Sequence, residues 1–181
     1  MSKKIWVLVL SFLFPAIIFG TIADAEIQSG PEEEGAPVIS QSFASQKIRP
    51  GDTWKIYLNV SNPDGELRNI FAIVEQPGIG PYPLSIIRIK EENRKELSGY
   101  IYLHTSTAAD SLDFITLTLT VNVQDRAGNF SQPVVFPLSL GPRFTQEAPP
   151  QGIFKEQELG PVMVTLRTKR DGNNTSPIFA P

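Results

Sequence analysis

The sequence predicts an all-β fold, a seven-stranded antiparallel β-sandwich with a mostly irregular C-terminal tail. Three observations carry the prediction. Residues 114–124 set Ile115, Leu117, Leu119, Val121 and Val123 against Thr116, Thr118, Thr120, Asn122 and Gln124, an unbroken period of two that a helix cannot present. Short β-rich runs recur through residues 36–141, separated by turn-forming clusters at the spacing typical of sandwiches. No segment there sustains helical periodicity.

The strands follow in order. Residues 37–43 are the first, closed by Arg49-Pro50-Gly51-Asp52, with Pro and Gly where a turn favours them. Residues 53–61 are the second, with Trp54, Ile56, Leu58 and Val60 on one face and Lys55, Tyr57 and Asn59 on the other. Asn62-Pro63-Asp64-Gly65 ends it. Residues 67–75 are the third, apolar on both faces around Ile70 to Val74, which calls for a cover on both sides or a bulge. Residues 76–83 form a loop. Residues 84–90 and 96–104 are the fourth and fifth strands, the latter with Leu97, Ile101 and Leu103 opposite Tyr100 and Tyr102. Residues 114–124 are the sixth. Residues 134–140 are the seventh, and Pro133 and Pro137 place it at a sheet edge because proline cannot donate to a ladder. In the Pro/Gly-rich tail, residues 142–181, only residues 162–167 alternate as an extra strand would (Val162, Val164, Leu166).

The N-terminus reads as an export signal. Lys3 and Lys4 precede a nearly continuous apolar run to Gly20, and Ala23-Asp24-Ala25 supplies small residues at a cleavage position. Residues 1–25 are therefore expected to be a signal peptide, followed by a flexible acidic leader, residues 26–35, that carries Glu32, Glu33 and Glu34. The destination is periplasmic or secreted, with no membrane span after cleavage. No cysteine is present, which excludes thiol nucleophiles, disulfides and thiolate metal sites. Sixteen basic residues against 19 acidic ones leave a net charge of −3, and no basic stripe marks a nucleic-acid partner.

Pro50-Gly51-Asp52-Thr53, the run from Leu97 to Leu103 and the run from Thr118 to Asn129 together resemble bacterial immunoglobulin-like (fibronectin type III-like) repeats of secreted and surface proteins. The resemblance covers residues 36–140. It implies an immunoglobulin-like sandwich acting as a spacer, an adhesion module or an accessory binding domain. The antibody-type pair of cysteines is absent.

Candidate chemistry is sparse. The single histidine, His104, has Ser106, Asp110 and Asp113 nearby in sequence, in a polar loop without the arrangement a hydrolytic triad needs. No catalytic or cofactor-binding residue is assigned, and the chain is expected not to be an enzyme. In the expected topology Asp64, Glu66, Asp125 and Asn129 meet at one pole with the acidic leader, a set of oxygen ligands for calcium. Asp64-Gly65 and Gly128-Asn129 are equally what ordinary turns require. Tyr57, Tyr100 and Tyr102 on the outer face of their strands form a candidate partner-binding face. The expected function is a non-enzymatic exported binding module of the cell envelope, its partner an envelope protein or polysaccharide. The alternative is a calcium-stabilised adhesion or structural module.

Overall fold

A computed structural model of the 181-residue chain describes residues 35–62, 64–105 and 114–167. The expected signal peptide, residues 1–25, the expected leader before Gly35, the Ser106, Asp110 and Asp113 loop and residues 168–181 lie outside the described residues. Two sheets form. The first runs β1 (Val38–Ala44), β3 (Thr53–Ser61), β7 (Glu96–His104), β10 (Glu158–Pro161). The second runs β2 (Lys47–Ile48), β9 (Val134–Leu140), β8 (Thr116–Asp125), β4 (Leu67–Gln76), β5 (Gly80–Pro81), with β6 (Ser85–Arg88) also on β4. The fold is an immunoglobulin-like sandwich. The chain crosses between the sheets from β3 to β4, from β6 to β7, from β7 to β8 and from β9 to β10, and the first edge splits, β1 joining one sheet and β2 the other.

The seven expected segments correspond to β1, β3, β4, β6, β7, β8 and β9, and three short segments join them. The pairing is not purely antiparallel: β2 runs parallel to β9 and β10 parallel to β7. The alternating rows face each other across the sandwich. Trp54, Ile56, Leu58, Val60, Leu97, Ile101 and Leu103 come from the first sheet, and Ile70, Ala72, Val74, Leu117, Leu119, Val121, Val123 and Leu138 from the second. Trp54 is fully buried, and its indole N–H donates to Ser45 O at 2.8 Å, so the largest core side chain leaves no polar atom unpaired.

The strand β4 carries a bulge ahead of its apolar centre, and an aromatic partner over that centre's outer face. The register against β8 shifts between Leu67 and Asn69, so Arg68 is the extra residue. A bulge changes where the strand aims its side chains, and Leu67 and Ile70 both turn inward. On the outer face Phe71 packs against Phe130, ring centroids 5.4 Å apart.

The tail departs most from expectation. The expected strand at residues 162–167 is corrected: the ladder falls earlier, at Glu158–Pro161, on the outer edge of β7. Val162 and Leu166 are buried in the core nonetheless. Their alternation reflects packing across the open side of the sandwich, where Met163 N donates to Ser85 Oγ of β6 and Arg167 N to the hydroxyl of Tyr82. Before β10, residues 142–157 pass over the outer face of the first sheet, with Glu147 N bonded to Ser45 Oγ and Lys155 N to Ser98 Oγ. These residues act as a strap.

Gly99 is where the strap approaches most closely. Tyr100 N donates to Gln157 O at 2.8 Å, and a Cβ at Gly99 would run into that same carbonyl and the side chain of Leu159. Gly99→Ala is expected to lower stability by about 1–3 kcal/mol, the usual cost of overpacking, and to raise amide exchange at Tyr100 above the level at Ile101. Equal protection at the two amides would show that the strap accommodates the methyl group.

Candidate functional site

The expected tyrosine face exists as a row but is not free. β3 and β7 pair Tyr57 with Tyr100 and Lys55 with Tyr102. Phe43, Tyr57, Tyr100, Tyr102 and His104 run as a chain of tilted ring contacts 4.9–6.4 Å apart. The strap covers the middle of this row. Tyr57 is only 3% exposed; Phe154 stacks on it at 5.6 Å, and its hydroxyl donates to Glu156 Oε1 at 2.7 Å. Glu156 Oε2 accepts from Lys55 Nζ at 2.9 Å, and that ammonium also lies 4.2 Å from the centre of the Tyr100 ring. Tyr57 is therefore corrected from a partner-binding residue to the anchor of the chain's own strap. Tyr100 and Tyr102 keep part of their surface. Period-two reasoning identifies the outer face but carries no information on what covers it.

The anchor is electrostatic as well as aromatic. The hydrogen bonds from Tyr57 and then Lys55 hold the Glu156 carboxyl below its ordinary 4.5. Burial, reinforced by Glu156, pushes Tyr57 above 10.0. Burial pulls the Lys55 ammonium down, but the bond to Glu156 and the neighbouring tyrosines outweigh it and raise Lys55 above 10.5. A depressed carboxyl stabilises the native state above 4.5 and loses that contribution as pH falls through its lowered value; the raised Tyr57 and Lys55 contribute below 10.0 and lose it as pH rises through their raised values. Amide protection factors of residues 153–157 are thus expected to be flat between those limits and to fall outside both. Glu156→Gln should remove the acid limb and weaken the alkaline one, since Glu156 also supplies part of what raises Tyr57 and Lys55.

The carboxylate-bearing pole also exists: Asp64, Glu66, Asp125 and Asn129 line one concavity together with Lys95 and Arg126. Two of its three carboxylates, Asp125 and Glu66, are already engaged. Asp125 is buried, and its Oδ1 accepts from Gly128 N (2.7 Å) and Asn129 N (2.8 Å), its Oδ2 from Asn129 Nδ2 (3.0 Å) and Asn62 Nδ2 (3.3 Å). Gly128 has φ +102, the left-handed conformation this turn needs. Glu66 faces Arg126 at 3.1 Å and Arg94 at 3.8 Å. Among the described residues no group of three or more His, Cys, Asp or Glu is arranged to hold a metal ion. The geometry realises the turn reading, in which Asp125 closes the β8–β9 hairpin.

His104 is exposed, with Nδ1 3.0 Å from Thr53 Oγ1 and its ring edge-on to Tyr102. Its expected neighbours Ser106, Asp110 and Asp113 lie outside the described residues.

Sequence reasoning missed a second face. On the outer side of the second sheet, Ile86 stands beside Phe71, and Ile73 lines up with Thr120 and Val135. Ile86 (59% exposed), Val135 (55%), Phe130 (46%) and Ile73 (38%) form an apolar band on a threonine-rich surface. The apolar residues at both parities of β4 were the available signal.

No protein-family model matches the chain, and no curated protein matches it. Among solved structures, the chain is similar to the PKD domain of an M14-like peptidase from a Thermoplasmatales archaeon, at 14% identity and a TM-score of 0.35, covering 58% of this chain and 95% of that one. It is also similar to a CARDB domain from Pyrococcus furiosus described in complex with di-metal ions, at 9% identity and a TM-score of 0.33, covering 60% and 93%. Among the described residues no helix is long and apolar enough to cross a membrane.

Proposed function

We propose that this chain is a non-enzymatic, exported interaction module of the cell envelope, and that it meets a protein partner through the outer face of the β9–β8–β4–β6 sheet. One observation carries the reading. The chain covers one outer face of its sandwich with its own strap and leaves the other exposed, with Ile73, Ile86, Phe130 and Val135 in one band. Contiguous exposed apolar surface of that kind marks interaction sites on soluble proteins. The tyrosine face, better suited to a polysaccharide, is the covered one. Export rests on the charged, apolar and small-residue order of residues 1–25. The calcium-stabilised alternative has less support, because Asp125 and Glu66 already have partners.

The test is in-cell photo-crosslinking with the probe residue placed at Ile86 or Val135 on the band, or at Glu92 on the turn Glu91–Asn93 as control. The expected result is one discrete adduct from both band positions and none from Glu92, with the processed protein in the envelope fraction beginning at Glu26. Equal adducts from all three positions, or a product confined to the cytoplasm, would remove the proposal.

A further inference from the structure

The pole that the sequence marks as acidic holds, beside its carboxylates, a concentration of arginine. Arg68, Arg88, Arg94 and Arg126, with Ile89, line a concavity of ≈ 250 Å³. They come from four segments joined by main-chain hydrogen bonds: Ile89 N to Arg68 O (2.9 Å), Leu67 N to Arg94 O, and Arg126 N to Glu66 O (2.8 Å). Arg68 is there because the β4 bulge places it there. The backbones are thus fixed, and the fold brings the four arginines to one concavity.

Their charges are only half compensated. Glu66 serves Arg126 and Arg94, and Glu91 serves Arg94 at 3.1 Å. Among the described residues Arg68 and Arg88 have no carboxylate partner within 4.0 Å. Two of the four arginines lining the concavity thus have no ion-pair partner, in a chain whose net charge is −3. Arginine presents a planar fork of donors that meets an oxyanion in pairs of charge-assisted bonds. Only Ile89 is apolar in the lining, so recognition would fall on the charged group itself and not on an organic body attached to it.

We infer that this concavity is an oxyanion site that takes a doubly charged phosphate group, with Arg68 and Arg88 as its free donors and Arg94 and Arg126 held in place by Glu66. The site adjoins the apolar band, Arg88 standing two residues from Ile86 on the exposed side of β6, but it does not depend on the band. The phosphate could be inorganic or borne by a lipid headgroup, and the two sources are distinguishable.

The test uses the exported chain and an Arg68→Gln/Arg88→Gln double variant, whose side chains make none of the ion pairs above. Calorimetric titration with inorganic phosphate at constant ionic strength is expected to show one site in the parent and at least tenfold weaker binding in the double variant, with the melting temperature in phosphate-free buffer unchanged. Binding should weaken as salt is raised, and phosphate should raise the parent's melting temperature by mass action. Equal binding by parent and double variant, or an identical response to chloride, overturns the inference. Flotation with phosphatidylglycerol vesicles, against phosphatidylcholine vesicles, assigns the source: flotation that the double variant loses identifies a headgroup, and phosphate binding without flotation identifies a phosphate that is not in a lipid.

Discussion

A chain ending at Gly141 is expected to lose most of its stability, although all seven sandwich strands expected from the sequence lie before that point. Residues 142–167 contribute β10, the Glu156 anchor and two buried core side chains, Val162 and Leu166. Burying an aliphatic side chain of this size is worth about 1.5–3 kcal/mol, so these two alone account for about 3–6 kcal/mol. Domain stabilities are usually about 5–15 kcal/mol, and removal would also expose Tyr57 and the edge of β7. The truncated chain should melt at least about 10 °C below the parent by circular dichroism, or fail to accumulate. A melting temperature within about 3 °C of the parent would mean that the strap decorates the fold and does not complete it.

The second large effect is expected from Asp125→Ala. The carboxylate receives four hydrogen bonds, two from main-chain amides, and is buried. Leaving a buried donor unpaired costs about 1–3 kcal/mol, so the loss should reach about 3–5 kcal/mol in urea unfolding. Asp125→Asn retains an acceptor for the Gly128 and Asn129 amides and should cost roughly half of that. The same network makes a cation an unwelcome competitor: calcium and chelator should leave the melting temperature within about 1 °C of each other, since only a ligand that binds the native state can raise it. A larger shift with calcium would restore the metal reading of Asp64, Glu66, Asp125 and Asn129.

The strand pattern was legible because it is local. β8 shows its burial in unbroken alternation, and β3 and β7 place Trp54, Leu97 and Leu103 inward as their spacing predicts. What was not legible depends on pairing between distant segments. Tyr57 has the parity of an outer residue and the burial of a core residue, because a segment about a hundred positions later lies over it. β10 reads Glu-Leu-Gly-Pro, which has no strand signature; its edge position tolerates the proline that a central strand would refuse. The bulge at Arg68 appears in sequence only as a disturbed alternation. The four arginines share no motif at all, since β4, β6, the turn after Lys90 and the β8–β9 hairpin each supply one.

The parallel seam between β10 and β7 has a consequence for the order in which the chain can fold. Glu147 reaches Ser45 across 102 residues and Glu156 reaches Tyr57 across 99, so the contacts that seal the first sheet join the last described segment to the first strands. Loop closure on that scale is slow compared with hairpin formation. A chain emerging N-terminus first can pair β3 with β7 and β8 with β9, yet its aromatic row stays wet until the strap arrives. Completion of the sandwich is therefore a late event, and a chain emerging through a narrow channel stays short of its final stability until residues 142–167 are clear of it.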